Sequence, residues 1–276
     1  MANQIASLLS GVTTSEFLAT NPGSEAALTG TALPLENVNN LRDLGGLRSR
    51  DGRRVRMNRL FRSGNPGMAS AADIERLQTL ELDVVIDFRA PEEKSEEESG
   101  FAKTFNWVAL PVLEGSMDMN ELVPRLRAST RQDMDEFMLQ VYRDFPAKHL
   151  STFAKFMKEA EAGRALLYHC STGKDRAGFA TFLLLSALDV ASDTILANYL
   201  ESNHWNQRLI QGLLARLGPL GISPEVAMPL LEVRVGYLQA SIQTIEREWG
   251  STTGFLSEAL AVDVLRLQAH YLEVAS

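Results

Sequence analysis

The 276-residue sequence predicts an α/β fold, a mostly parallel central sheet with helices on both faces. Three observations predict it. Short apolar runs of strand length, residues 82–88, 105–112 and 164–168, are separated by stretches whose apolar residues recur at helical spacing. The last of these runs enters a tight loop and then an apolar stretch, 179–188, long enough for a buried helix. Finally, Leu60-Phe61-Arg62-Ser63-Gly64 reads as a strand ending in a glycine loop, and parallel sheets gather ligands at such strand ends.

Taken in order, residues 1–35 are small and polar without a strong period, and read as a surface arm or a pair of short helical turns with no chemistry. Residues 39–62 then carry eight arginines, at 42, 48, 50, 53, 54, 56, 59 and 62, against only Asp43 and Asp51. Asp51-Gly52 is a hairpin cue. A solvated hairpin accounts for most of these arginines. Arg62, set by Leu60-Phe61 and followed by Ser63-Gly64, is the one assigned to the rim of a site.

Ser70, with Asp73 three residues on, caps a helix whose Ile74, Leu77 and Leu80 share a face. The strand 82–88 ends in Asp87-Phe88-Arg89, and Pro91-Glu92-Glu93 reads as the acidic first turn of a helix. Residues 115–162 read as helical, and core packing explains their stripe of Met134, Phe137, Met138, Val141 and Phe145. A helix over 191–203 is expected to be capped by Ser192, followed by an amphipathic stretch, 205–220, that ends in Gly218-Pro219-Leu220-Gly221. Ser223-Pro224-Glu225 opens what reads as one long helix. Leu231, Val235, Leu238, Ile242, Ile245 and Trp249 recur along it, and Gly250 ends it.

The stretch 168–178 carries the chemistry. A strand running into a tight loop and then a helix makes the loop N–H groups and the helix N-terminus converge on one point, which suits a phosphate. The same field favours thiolate over thiol at Cys170, helped by Lys174 and Arg176. Arg176, six residues after the cysteine, can fold back over the cradle, and its planar fork matches two phosphoryl oxygens. A buried core cysteine would explain Cys170 alone. The preceding His169, the loop Gly173 and the Lys174-Asp175-Arg176 run favour a nucleophile in a phosphate loop. A nucleotide-binding loop of Walker type is excluded, because Tyr168 stands where its first Gly is required and Asp175 where Ser or Thr is required.

His169-Cys170-x-x-Gly173-Lys174-Asp175-Arg176-x-Gly178 resembles the Cys-x5-Arg loop of the protein tyrosine phosphatase superfamily. Its Lys-Asp pair is similar to one branch, the atypical bacterial phosphatases typified by mycobacterial protein tyrosine phosphatase B. Asn40-Leu41-Arg42-Asp43-Leu44-Gly45-Gly46, Leu60-Phe61-Arg62-Ser63-Gly64, Asp87-Phe88-Arg89, Tyr199-Leu200-Glu201-Ser202-Asn203 and Gly250-Ser251 fall in that family's order. The resemblance implies a Cys-x5-Arg phosphatase fold with a lid-like helical insertion, for which 205–230 is the candidate. It also implies that the Asp175 position takes part in catalysis and that Lys174 brings tolerance for phosphoinositides.

The chemistry expected is phosphomonoester hydrolysis through a phosphocysteine. Cys170 attacks phosphorus, while Ser171, Thr172, Gly173, Lys174 and Arg176 hold the phosphoryl oxygens. Asp175 is favoured over Asp87 as the acid, with Asp87 in support or orienting Arg176. Phosphotyrosine is the first substrate class, with phosphoserine and phosphothreonine beside it; a phosphoinositide phosphatase and a phosphate-recognition module without turnover are the alternatives. A rhodanese-type sulfur transferase would leave the Lys-Asp-Arg run unexplained.

Composition bounds the rest. Hydrophobic content of 45% and charged content of 22% are those of an ordinary globular protein. A net charge of -8 argues against a nucleic-acid partner and requires any phosphate site to be locally positive. One cysteine and four scattered histidines offer no disulfide framework and no metal-ligand spacing, so neither a metal nor another cofactor is expected. No run approaches a membrane span and the first twenty residues lack a signal-peptide pattern. The expected location is cytoplasmic, or exported by a route without a cleavable signal. The expected organisation is an arm, 1–35, and one phosphatase domain, 36–276; composition says nothing of oligomeric state.

Overall fold

A computed structural model describes residues 31–95, 98–112 and 119–273. Most of the expected arm lies outside these residues, but its end does not: Thr31–Ala32 forms an edge strand and Leu35 is buried.

Among the described residues six strands, β1 (Thr31–Ala32), β2 (Arg42–Asp43), β3 (Leu60–Ser63), β4 (Val84–Asp87), β5 (Trp107–Ala109) and β6 (Leu166–His169), form one sheet in the order β1-β2-β3-β6-β4-β5. β3, β6, β4 and β5 run parallel, while β1 and β2 add an antiparallel edge. Alternation along the strands sends Leu60, Val84, Ile86, Leu166 and Tyr168 into the main core and Phe61, Val85 and Leu167 into a second cluster on the other face. Both faces are therefore covered, as the apolar runs predict.

On the smaller face, helices α1 (Ala71–Gln78) and α2 (Ser99–Thr104) supply Leu77 and Phe101. The Ser70–Asp73 capping box forms as expected, and Asp73 additionally accepts from the N–H groups of Glu36 and Asn37. The larger face carries α3 (Met119–Ala128), α4 (Arg131–Lys148), α5 (Leu150–Glu161) and α6 (Arg176–Ala187). Beyond them come α7 (Ser192–Trp205), α8 (Gln207–Leu217), α9 (Pro224–Leu231), α10 (Val235–Trp249) and α11 (Val264–Tyr271). α6 is apolar almost all round and is correspondingly enclosed.

Three expected elements differ. Pro91–Glu93 makes a single 3-10 turn rather than opening a longer helix. Ser192 is the first helical residue and Ala191 stands at the cap position. The long helix expected from Ser223 to Gly250 is two, because Glu232 is extended. The break is stabilised from outside: Asn203 on α7 donates to the Val233 carbonyl at 2.9 Å and accepts from the Val233 N–H at 2.7 Å. A side-chain amide thus replaces the intrahelical bonds that a continuous helix would have made.

The basic island divides: Arg48, Arg50 and Arg54 are exposed, in keeping with a solvated hairpin, while others staple the chain from inside. Arg50 pairs with Asp189, Arg56 donates to the Leu272 carbonyl, and Arg42 and Arg62 are fully buried. Asp51-Gly52 forms the expected turn, with Ser49 N–H donating to the Arg53 carbonyl and Gly52 at φ +89°.

Candidate active site

The C-terminal ends of β3, β6 and β4 lie in register, Ser63 beside His169 and Asp87 beside His169. The loop from Cys170 to Asp175 leaves this edge at the central strand and enters α6 at Arg176. Its carbonyls are pinned outward. Ser171 O accepts from the Asn65 N–H at 3.1 Å, and Thr172 O from Asn40 Nδ2 at 3.1 Å and Asn206 Nδ2 at 3.0 Å. Gly173 O accepts from Asn40 Nδ2 at 3.0 Å and Arg62 Nη2 at 2.6 Å, and Lys174 O from Arg62 Nη2 at 3.4 Å. With the carbonyls turned out, the peptide N–H groups turn in. Among the described residues no protein acceptor takes the N–H groups of residues 171–175. Together with the α6 N-terminus they are donors of the kind that can hold an anion.

Gly173 is what lets the loop lie this close to β3. It stands at φ +68°, and a Cβ there would fall 2.4 Å from the carbonyl carbon and oxygen of Ser63. Cys170 is a free thiol at the base of the loop, 1% exposed.

Arg176 reaches back to Ser171 Oγ at the start of the loop, and its fork is held by Glu93. Nη1 reaches Glu93 Oε2 at 2.5 Å and Nη2 reaches Oε1 at 2.7 Å; Nη1 also donates to the Phe88 and Val112 carbonyls. Ser171 Oγ donates to Glu93 Oε1 at 2.6 Å, so one carboxylate ties both ends of the loop. Burial alone would raise the Glu93 carboxyl, but Arg176 and Ser171 hold it below its ordinary range. Glu93 is a residue that pattern reading missed, since its acidic turn looked like a helix start.

Asp175 sits at the N-cap of α6 with both oxygens occupied. Oδ1 accepts from the Tyr142 hydroxyl at 2.7 Å and Oδ2 from Lys174 Nζ at 2.6 Å. Lys174 is accordingly buried, turned onto Asp175 rather than standing as an exposed charge at the loop lip. Tyr142 lies within the expected α4 core stripe, and no local sequence signal marks it.

Two expected placements change. Arg62 is not at a rim: it is fully buried beneath the loop, bonded to Asn198, Ser202 and the two loop carbonyls. The apolar strand that carries it is internal, so its guanidinium is spent on backbone rather than facing solvent. Asp87 does not orient Arg176 either. It is enclosed, bonded by Arg89 Nε at 3.1 Å and Nη2 at 3.1 Å and paired with Lys94 at 3.1 Å. Burial pushes its carboxyl up, but His169, Arg89 and Lys94 outweigh that and hold it far below the usual carboxylate range. His169 itself is enclosed, and burial lowers its ring to about 4.

The tyrosine phosphatase family pattern matches residues 33–273, which contain every residue of this site, and the chain belongs to that family. It is 59% identical over 240 residues to a Cupriavidus necator protein named as a candidate tyrosine-protein phosphatase, covering 87% of this chain and 88% of that one. It is also 34% identical over 159 residues to the Mycobacterium tuberculosis triple specificity protein phosphatase PtpB, covering 53% and 54%. Among solved structures, P. aeruginosa TpbA aligns with 79% of this chain and 99% of its own at 14% identity and a TM-score of 0.37. No described helix is long and apolar enough to cross a membrane.

Proposed function

We propose that the protein hydrolyses phosphotyrosine through a phosphocysteine on Cys170, with phosphoserine and phosphothreonine as further substrates. The observation that carries this reading is the loop after Cys170, whose N–H groups at 171–175 have no protein acceptor among the described residues, beside the fixed Arg176 fork. Thiolate Cys170 attacks phosphorus in line; the S–P bond forms as the ester P–O bond breaks. The loop amides and Arg176 hold the three equatorial oxygens as charge spreads over them. A proton must reach the leaving oxygen, and Asp175 supplies it. Asp87 is the poorer acid, because Arg89 and Lys94 keep it ionised inside the sheet edge. In the second step Asp175 takes a proton from water, whose oxygen attacks phosphorus and releases the thiolate and inorganic phosphate.

Because Lys174 pairs with the same Asp175, proton loading requires Lys174 to turn from Oδ2 to a phosphoryl oxygen. Ser171, Thr172, Gly173 and Lys174 bind phosphate through backbone, and Arg62 acts by fixing that backbone. The catalytic unit on this reading is 36–276, and residues 205–230 are its cover, tied to the loop through Asn206. Phosphoinositides are the second substrate class, which the family resemblance at Lys174 implies; the relative named a triple specificity protein phosphatase supports a range wider than phosphotyrosine.

The test is hydrolysis of an aryl phosphate, a phosphotyrosine peptide and a phosphoinositide by wild type and Cys170→Ser. Activity on the peptide, lost with serine, is the expected result. Activity that survives the serine substitution would sink the phosphocysteine route, and preference for the lipid would favour the second class.

A further inference from the structure

Behind Asp175 lies a second, deeper set of hydroxyls. Tyr199 on α7 donates its O–H to the Tyr142 oxygen at 2.8 Å, and Tyr142 on α4 donates to Asp175 Oδ1 at 2.7 Å. Both rings are enclosed, and their edge-to-face contact, centroids 6.2 Å apart, leaves little freedom to turn. The Tyr142 backbone is fixed as well, because Ser241 Oγ on α10 donates to its carbonyl at 2.5 Å. Three helices distant in sequence therefore converge on one carboxylate oxygen.

Direction matters in this chain. A phenol has one proton, and since Tyr142 receives the Tyr199 proton, its own is committed to Asp175 Oδ1. Burial first, and the neighbouring Asp175 charge second, push both phenols well above their ordinary value, so both remain donors at working pH. Both hydroxyl-bearing rings are buried, Tyr142 at 0% and Tyr199 at 1% exposed. Held by the Tyr199 hydroxyl and the Ser241 bond to its backbone, Tyr142 is a fixed prop.

We infer that Tyr142, backed by Tyr199, is a positioning residue that reserves Asp175 Oδ1 as an acceptor and makes Oδ2, the oxygen beside Lys174, the one that delivers the proton. The inference rests on the reading of Asp175 as the acid. A carboxylic acid carries its proton on one oxygen only, and its carbonyl-type oxygen is the better acceptor, so the Tyr142 O–H favours Oδ1 as the carbonyl oxygen and the proton on Oδ2. Loss of the prop frees the carboxyl to rotate, and a small misaim of an acid costs rate only where the leaving group needs its proton.

The experiment compares phenyl phosphate, whose phenolate needs protonation, with 2,4-dinitrophenyl phosphate, whose anion leaves unaided. Tyr142→Phe should lower kcat for phenyl phosphate about tenfold or more, the loss of one hydrogen bond to a charged group, with KM unchanged. The loss on the dinitrophenyl ester should be several-fold smaller. Tyr199→Phe should act in the same direction and less strongly. In an Asp175→Asn background, Tyr142→Phe should add no further loss on phenyl phosphate. Equal losses on both esters from Tyr142→Phe, with Asp175→Asn still selective for phenyl phosphate, would overturn the positioning role alone. Equal losses from Asp175→Asn itself would remove the acid reading and this inference with it.

Discussion

Arg176 and Glu93 meet fork to fork, Nη1 to Oε2 at 2.5 Å and Nη2 to Oε1 at 2.7 Å. Glu93 takes both terminal nitrogens of the guanidinium and leaves Nε, so the arginine is aimed before any phosphate arrives. Glu93→Gln keeps the size but sets an amide N–H₂ against arginine donors. Removing a charge-assisted pair of this kind costs about 1.5–3 kcal/mol. The expected outcome is a roughly 10- to 100-fold fall in kcat/KM for an aryl phosphate, read by steady-state kinetics. A change under about twofold would mean that the loop aims Arg176 without help.

The same pair and His169 set an acid limit on stability. His169 titrates near 4 when folded, against about 6.5 in the unfolded chain, so the unfolded state binds the extra proton first. Its contribution is complete above pH about 6.5 and is lost as pH falls towards 4, by up to about 3 kcal/mol. Glu93, whose folded carboxyl is depressed, adds a second loss below its ordinary value of about 4.3. Urea midpoints measured between pH 7 and 4 should fall in wild type and stay flatter in His169→Asn. Parallel curves would show that another group carries the acid sensitivity.

Much of this was legible because period and punctuation agree locally. The strands β3, β4 and β6, the cap at Ser70 and the Cys170–Arg176 loop all follow from residues next to one another. What escaped depends on partners far apart in sequence. The break at Glu232 is written in Asn203, and the fate of Arg62 in Asn198 and Ser202. Glu93 and Tyr142 belong to the site only because the fold brings them to Arg176 and Asp175. Apolar spacing on α4 reads as core with or without a hydroxyl at its tip, so it could not have marked Tyr142.

Gly173 joins the loop to β3 with no room to spare. Gly173→Ala places a Cβ against the Ser63 carbonyl and forces an L-residue to keep φ +68°. Overpacking and left-handed backbone together cost about 2–4 kcal/mol. Urea unfolding should show that loss, and inorganic phosphate should no longer protect Cys170 from alkylation. Normal stability with phosphate protection intact would mean that the loop rearranges freely, contrary to its pinned carbonyls.

Arg62 separates the two placements considered for it. A rim arginine contacting substrate would, on replacement, raise KM and leave unfolding unchanged. A buried arginine that pins carbonyls should do both kinds of damage. Arg62→Met preserves bulk but leaves the Lys174 carbonyl and Asn198 Oδ1 without their donor, while Asn40 still serves Gly173 and Arg42 still serves Ser202. Each stranded buried acceptor costs about 1–3 kcal/mol, so the variant should lose about 2–5 kcal/mol in urea unfolding. Arg62→Lys should recover little, because one ammonium cannot span acceptors that a planar fork reaches on two sides. The inhibition constant for inorganic phosphate should rise in both variants, since the loop N–H groups depend on where those carbonyls point. Full stability in Arg62→Met would return Arg62 to a substrate-facing role.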